Sequence, residues 1–374
     1  MSIDWQAVRA KFPVCSTTTY LNAAGGSPMC VSASIEGKKY FDEMLLFGDA
    51  CWDEWLERTD QVRTKLAEFL GAGVGEVAFA PNTSLAMGII AGMMQHKGAV
   101  ITMDDEFPSS TIPWINLGYS VDFVPSEKGA YPVKNIERNL RPEHKILVTS
   151  MIQYKTGFRQ DLKALGQFCK SAGLVFVVNA TQGLGVFPVD VTDCQVDFLV
   201  FSGLKWACAG YGAAGLFLSS RHLSSDNLPF AGWRSVQVPG NMDNRHFDLN
   251  NTASALEAGS PSFPAVFALG GALDFINGIG IESCLNRVLY LSQLLEDQLI
   301  QNGFPVLYSF SGVSRSGIVM LQTTHAGRLV DELARKNIQV SARGEGLRIS
   351  VNIYNNEEDI NRLLAALQEL RSLL

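Results

Sequence analysis

The 374-residue sequence lacks the features that mark several common protein classes. It has no block of Lys or Arg and a formal net charge of −7, which excludes the charge pattern of a nucleic-acid-binding protein. Its seven cysteines are odd in number and show no C-x-x-C spacing, so neither a disulfide framework nor a metal site is predicted. No apolar run is long enough to span a bilayer, and the N-terminus does not read as a signal peptide. We therefore expect a cytoplasmic protein with reduced thiols and no nucleic-acid or membrane partner.

The sequence does have enough apolar residues for a large core. Hydrophobic residues make up 47% of the chain and charged residues 18%, and the length allows two domains. Four apolar runs of strand length end at Ala80, Ser150, Asn179 and Ser202, with helical patterns between them. Open α/β sheets bind ligands at the carboxyl ends of such strands. The sequence therefore predicts an α/β fold with a mainly parallel sheet and helices on both faces.

One lysine follows a predicted strand, a position in which it could serve as a nucleophile. Residues 197–206 (DFLVFSGLKW) form an apolar run that ends in Ser-Gly and delivers Lys205, and the small-residue segment 207–215 follows. Burial lowers the pKa of an amine, and the free amine is the form that condenses with an aldehyde. A surface lysine at a strand end is the commoner case. This stretch alone does not decide between the two.

The preceding residues favour the first interpretation. A second apolar run, 174–178, ends in 179–185 (NATQGLG) and leads by a short loop into the lysine strand. This order resembles the pyridoxal phosphate (PLP) enzymes of fold type I, most closely the class V aminotransferase group. That group includes cysteine desulfurases, kynureninases and isopenicillin N epimerase-like proteins. Residues 20–24 (YLNAA), 257–261 (EAGSP) and 347–350 (LRIS) are similar to further motifs of the group, in the same order.

The resemblance implies an architecture. It predicts a homodimer whose large PLP-binding domain comprises residues 20–260. The smaller domain would combine the N-terminal arm, 1–19, with an α+β C-terminal part, 261–374.

The resemblance also implies roles for individual residues. Lys205 would carry PLP as a Schiff base and move the α-proton of an amino acid substrate. Arg348 would bind the substrate carboxylate, and Asn22 would line the substrate site. The residues expected to bind the cofactor with Lys205 are Thr83, Ser84, Phe107, Gln153, Asn179, Gln182, Ser202, Trp233 and Ser260.

The expected contacts differ among these residues. The resemblance implies that Thr83 and Ser84 hold the cofactor phosphate at a helix N-terminus, where hydroxyls and N–H groups can bind a phosphate. It implies that Ser202 adds a further contact from the lysine strand. Phe107 would stack on the pyridine ring, and Gln153 and Gln182 would donate toward its phenolic oxygen. The hydroxyl of Ser260 would reach the phosphate bound by the other subunit.

Structural roles remain open for several of these residues. Asn82 or Thr83 can act as a helix cap, Phe107 as a core aromatic residue and Ser260 as part of a glycine-proline turn. Arg348 can form a strand-end ion pair.

Two departures from the family pattern leave the reaction open. Asn179 stands where the family has Asp, and an amide cannot supply the charge that favours a protonated ring. Residues 341–346 (SARGEG) contain no cysteine where persulfide-forming desulfurases carry one, and Leu204 replaces a frequent histidine. A class V aminotransferase-like enzyme is the first interpretation and a C–S lyase without a persulfide cysteine the second. A catalytically silent PLP-fold binding protein is the third.

Overall fold

A mainly parallel sheet organises the structure, a computed structural model that describes residues 3–94, 98–223 and 228–374. In this described part, seven strands pair in the order β2-β8-β7-β6-β5-β3-β4. The pairs among β4, β3, β5, β6 and β7 are parallel, while β8 is antiparallel to both of its neighbours. The strands are Thr19–Tyr20 (β1), Val77–Ala80 (β2), Ala99–Met103 (β3), Val121–Val124 (β4), His144–Ser150 (β5), Val175–Asn179 (β6), Phe198–Ser202 (β7), Ala214–Leu218 (β8), Ile318–Gln322 (β9), Ile338–Gln339 (β10), Ser341–Arg343 (β11) and Gly346–Ser350 (β12).

Both faces of the central sheet are buried. Successive residues of β7 alternate between two cores, with Leu199 and Phe201 in one and Phe198 and Val200 in the other. A strand buried on both faces reads as a continuous apolar run, which is why this strand was visible in the sequence. The predicted α/β class is confirmed.

Helices supply the rest of these cores. The helix that follows β2 packs on one face, while the long C-terminal helices contribute to the core on the other. The helices are Trp5–Ala10 (α1), Val31–Phe47 (α2), Trp52–Leu70 (α3), Thr83–Met93 (α4), Pro108–Asn116 (α5), Val133–Arg138 (α6), Leu162–Ala172 (α7), Phe263–Ile279 (α8), Ile281–Gln301 (α9), Ala326–Arg335 (α10) and Glu357–Glu369 (α11).

A smaller sheet forms in the C-terminal third. Strands β11, β12 and β9 pair antiparallel, with Ser341 opposite Arg348. The N-terminal arm joins this region, because β1 pairs with β10 and Asn22 forms a bridge with Ser350. The arrangement agrees with an α+β part that includes the N-terminal arm. The division into 20–260 and 1–19 with 261–374 stays a prediction.

No single helix in the described ranges has both the length and the apolar character to cross a bilayer. Only α8 and α9 taken together, bent by 80°, have the length and composition of a span.

A buried ion pair ties helix α3 to the edge of the central sheet. Arg63 donates to both carboxylate oxygens of Glu257, and the two side chains are each 8% exposed. Arg63 also donates to the Val77 carbonyl at 3.1 Å, and Glu257 accepts from the Phe79 N–H at 2.8 Å. The pair therefore fixes strand β2, which leads into α4 and the candidate site.

Glu257→Gln should lower the free energy of unfolding by about 3–5 kcal/mol, because it removes the buried partner of Arg63 and leaves only the exposed carboxylate of Asp60, 3.4 Å from Nε. Urea unfolding followed by circular dichroism measures this loss. Asp193→Asn is the matched control, since Asp193 pairs with Lys163 at the surface and should cost less than about 1 kcal/mol. Equal losses in the two variants would contradict the structural role of the buried pair.

Candidate active site

The polar ends of the central strands surround one cavity of about 280 Å³. It lies where parallel strands β5, β6 and β7 end, beside the N-terminus of α4, which is the position that α/β sheets use for ligands. Eight of the twelve residues that the sequence nominates line it. These eight are Thr83, Ser84, Phe107, Asn179, Gln182, Ser202, Lys205 and Arg348.

Lys205 follows β7 at the edge of this cavity. Its pKa is lowered from the usual 10.5 to about 7, first by loss of hydration and then by the positive charges of Arg348 and Arg343. Its ammonium nitrogen lies 5.4 Å from the centre of the Phe107 ring. An amine of this kind is partly unprotonated at neutral pH and can act as a nucleophile or base.

A glycine allows the loop after β6 to pack against the lysine segment. Gly185 has a φ of +108°, and a Cβ placed on it would lie 2.5 Å from the Ala207 Cα. Any other residue would therefore push the 179–185 loop away from the turn that presents Lys205.

Arg348 is the second cation of the cavity, and it is 1% exposed. Its Nε donates to the Ser341 hydroxyl at 3.2 Å and its Nη1 to the Tyr154 carbonyl at 2.9 Å. Its Nη2 is buried and has no hydrogen-bond partner in the described part of the chain. Burial and the nearby charge of Arg343 lower the pKa of Arg348 to about 9. An unpaired buried guanidinium group is costly, so this position favours an anionic ligand.

The whole cavity is positively charged. Lys205, Arg343 and Arg348 line it, and none of the described lining residues is a carboxylate. The arrangement suits a ligand with more than one anionic group.

The amides of the 179–185 loop are held by specific contacts. Asn179 donates from Nδ2 to the Ser110 hydroxyl at 3.0 Å and accepts from the Thr181 N–H at 3.1 Å. Gln182 donates to the Ala24 carbonyl at 3.0 Å and accepts from the Trp206 indole N–H at 2.9 Å. Both side chains are therefore fixed in orientation before any ligand binds.

Hydroxyl groups gather at the N-terminus of α4. Thr83 shares a 2.9 Å hydrogen bond with Thr181, and Ser84 shares one of 2.7 Å with Ser109. Asn82 caps the helix by accepting from the Leu85 N–H at 2.9 Å. The hydroxyls and the first backbone N–H groups of the helix together form a suitable anion site. The predicted cap at Asn82 thus coexists with the proposed phosphate site at the same helix N-terminus.

Phe107 stands at the cavity as the residue that precedes α5. It is 42% exposed and makes an edge-to-face contact with Tyr154, with ring centres 5.3 Å apart. An aromatic ring so exposed is available to stack on a planar ligand.

Four nominated residues do not line the cavity. Gln153 is fully buried and donates to Glu106 at 2.8 Å, while Asn22 is turned so that its Oδ1 is buried without a partner. Trp233 stacks on Trp52 and lines a separate groove, and Ser260 lines another beside strand β2. Their expected roles, like those of the eight lining residues, stay predictions.

Other cavity residues were missed by the sequence reasoning. Tyr154 follows Gln153 directly in the sequence, and Thr181 lies within the 179–185 segment, between Asn179 and Gln182. The position of Arg343 in the cavity depends on the β11–β12 hairpin, which places it opposite Gly346 and near Arg348. No local sequence pattern predicts this hairpin register. The remaining missed residues are Ala24, Gly25, Asn82, Ser109, Ser150, Leu204 and Tyr211.

The lowered pKa of Lys205 predicts a pH-dependent stability of the cofactor-free chain. The unfolded state binds more protons than the folded state between about pH 7 and about pH 10.5, so unfolding free energy should rise with pH across this window. Lys205→Met should therefore be more stable than the wild type near neutral pH, with an advantage that shrinks by up to roughly 1.4 kcal/mol per pH unit. Urea unfolding at several pH values measures this difference. An exposed lysine, in Lys134→Met, provides the control, and equal pH dependence in both variants would contradict the burial argument.

Comparison with known proteins places the chain in a family. The family model described as "Aminotransferase class-V" matches residues 50–363. The chain is 24% identical over 359 residues to an uncharacterized aminotransferase of Bacillus subtilis, with 95% of each chain covered.

Solved structures show the same fold. An apo cysteine desulfurase of Thermococcus onnurineus superimposes with a TM-score of 0.89 at 22% identity, covering 100% of this chain and 99% of that one. A structure of the protein C-DES, with glycine covalently linked to its PLP cofactor, gives a TM-score of 0.87 at 20% identity and covers 98% and 99%. Another C-DES structure is named a complex of a cystine C–S lyase with cysteine persulfide; it gives 0.86 at 20% identity and covers 95% and 98%. The family match spans most of the chain, and the chain therefore belongs to the class-V aminotransferase family of PLP-dependent enzymes.

Proposed function

We propose that Lys205 binds PLP and that the chain transforms an amino acid in the manner of the class-V aminotransferases. The proposal depends on two groups in one cavity. One is an amine that is partly unprotonated near neutral pH, and the other is a buried guanidinium group with one nitrogen that has no hydrogen-bond partner among the described residues. Lys205 offers a nucleophile to the cofactor aldehyde, and Arg348 offers a free Nη2 to a carboxylate. The two face the same cavity.

The residues present fit PLP. The aldehyde requires an unprotonated amine, the phosphate requires N–H and hydroxyl donors, and the ring requires a flat apolar partner. Lys205, the α4 N-terminus with Thr83 and Ser84, and Phe107 meet these three needs around one cavity. Ser202, at the end of β7, adds a further hydroxyl to the proposed phosphate site. When bound, PLP supplies an electron sink for negative charge that develops at the substrate Cα.

Arg348 orients the substrate in this proposal. Its Nε and Nη1 contacts hold the guanidinium plane in place before substrate binds. Donation from Nη2 to the α-carboxylate therefore costs little further conformational entropy of the arginine side chain. Lys205 is the base proposed for the proton at the substrate Cα, since its pKa near 7 suits proton transfer at neutral pH. Asn179 is proposed to face the pyridine nitrogen, and Gln182 to donate toward the phenolic oxygen.

A C–S lyase is the second candidate, and the thiol inventory favours it over a persulfide-forming desulfurase. Among the residues that the structure describes, no cysteine lines the cavity. Cys208 is close to Lys205 in sequence, but it is buried, and burial raises the pKa of its thiol well above the usual value. A thiol held in its protonated form is a poor nucleophile. The structural likeness to C-DES, named a cystine C–S lyase, is consistent with elimination without such a cysteine.

The proposed assembly is a homodimer in which Ser260 reaches the partner's phosphate. Support comes from the apolar surface at the end of α2, where Leu45 is 83% exposed. Phe41, Met44, Leu46 and Phe47 extend this surface, and a large exposed apolar patch commonly marks an interface. A cytoplasmic location is proposed as well, and the seven free cysteines support it.

Screening amino acids against the PLP-loaded protein separates the candidate reactions. Transamination should leave the cofactor as pyridoxamine phosphate and yield a keto acid. Elimination should release sulfide or a thiol with pyruvate and leave the cofactor as PLP. Absorbance and product analysis measure both outcomes, and Arg348→Gln should raise KM more than it lowers the spectroscopic affinity for PLP.

Two outcomes would contradict parts of this proposal. A bound cofactor that responds to no amino acid would contradict an enzymatic role and support the silent binding protein. Unchanged KM in Arg348→Gln would contradict the carboxylate role of Arg348.

A further inference from the structure

The buried acid Glu106 lies next to the cavity and has no role in the function proposed above. Glu106 directly precedes Phe107 and is 7% exposed. No ion pair joins it to a cation in the residues that the structure describes. Burying a carboxyl group without a cation is costly unless hydrogen bonds compensate. Its position therefore calls for a physical explanation.

Hydrogen-bond donors surround this acid. Oε1 accepts from the Ser150 N–H at 2.6 Å and from Gln153 Nε2 at 2.8 Å, and Oε2 accepts from the Ser150 hydroxyl at 2.5 Å. Burial raises the pKa of Glu106, while hydrogen bonds from Ser150, Gln153 and Ser110 oppose that rise. A carboxylate can satisfy all these donors because it only accepts.

Ser110 connects this acid to Asn179. The Ser110 oxygen accepts from Asn179 Nδ2 at 3.0 Å, so its own hydrogen is available for Glu106. Glu106 therefore sets the direction of the chain of hydrogen bonds, from Asn179 through Ser110 to the acid. If the Ser110 hydroxyl donated to Asn179 instead, the Asn179 amide would have to rotate so that its oxygen, and not its nitrogen, faced Ser110.

A backbone contact fixes the amide from the other side. The Thr181 N–H can only donate, and it lies 3.1 Å from Asn179 Oδ1. The oxygen is thus committed to its own loop, and Nδ2 keeps a second hydrogen for which the described residues provide no acceptor. Asn179 lines the cavity, so what it can offer a ligand is a donor.

We propose that Glu106 is a positioning residue which, through Ser110, holds Asn179 as a hydrogen-bond donor, so that the cofactor's pyridine nitrogen is bound without a proton. The inference rests on the proposed function, in which Asn179 faces that nitrogen. A carboxylate at position 179 would accept instead and would stabilise the protonated ring. The ring in this protein then withdraws negative charge less strongly than a protonated one.

The direct test is nitrogen NMR of the protein reconstituted with PLP labelled with ¹⁵N in the ring. The wild type should show the chemical shift of an unprotonated pyridine at neutral pH, and Asn179→Asp should show that of a protonated one. Glu106→Gln should move the signal toward the protonated position, because a glutamine amide donates to Ser110 and reverses its hydroxyl. The same variant should weaken PLP binding by roughly threefold to tenfold, the effect of one net hydrogen bond.

Two further variants complete the design. Ser110→Ala removes one of the two contacts that orient Asn179 and leaves the Ser150 and Gln153 bonds to Glu106. It should therefore shift the signal in the same direction by a smaller amount, and it tests the connection even if Glu106→Gln fails to fold. Glu137→Gln changes an exposed acid and should leave both shift and affinity unchanged.

The outcomes distinguish the inference from the function on which it rests. Bound PLP with a protonated ring nitrogen in the wild type would overturn this inference and leave the proposed function intact. A wild-type shift unaltered by both Glu106→Gln and Ser110→Ala would overturn the positioning role. A wild-type chain that binds no PLP would overturn the proposed function and the inference with it.

Discussion

Desolvation of one amine is the constraint on which the proposed chemistry depends. Lys205 follows a strand that is buried on both faces, and two arginines share its cavity, while the described lining residues include no compensating carboxylate. Its ammonium form is therefore unfavourable, and the neutral amine becomes accessible near pH 7. The same cationic surroundings that lower this pKa also attract an anionic cofactor and substrate. One electrostatic arrangement thus serves both binding and reactivity.

The parallel sheet makes this arrangement possible. Because β5, β6 and β7 run in the same direction, their last residues, Ser150, Asn179 and Ser202, meet along one edge. Each strand needs both of its faces covered, and the two cores on either side hold these ends rigidly. The rigid edge then positions side chains without help from a ligand, as the fixed amides of Asn179 and Gln182 show.

Local sequence patterns were sufficient to predict the fold class and part of the candidate site. The strand ends at Ala80, Ser150, Asn179 and Ser202 were predictable because continuous apolar runs stop there at polar or small residues. Helix α2 ends at Phe47 because Gly48 adopts a φ of +61°, and α3 begins at Trp52. Arg343 and Glu106 could not be assigned from sequence, since their surroundings depend on a hairpin register and on contacts between distant segments. Trp233 and Ser260 lie in other grooves of this chain, and their expected roles stay predictions; the role expected of Ser260 involves a second subunit.

The identity of the lysine that carries the cofactor is the central claim, and chemical trapping tests it most directly. The protein would be incubated with PLP, reduced with borohydride, digested and analysed by peptide mass spectrometry. We predict a single phosphopyridoxyl group on the peptide that contains Lys205, and its loss in Lys205→Ala with the rest of the fold unchanged by circular dichroism. A label distributed over exposed lysines, or retained at full yield in Lys205→Ala, would contradict the account.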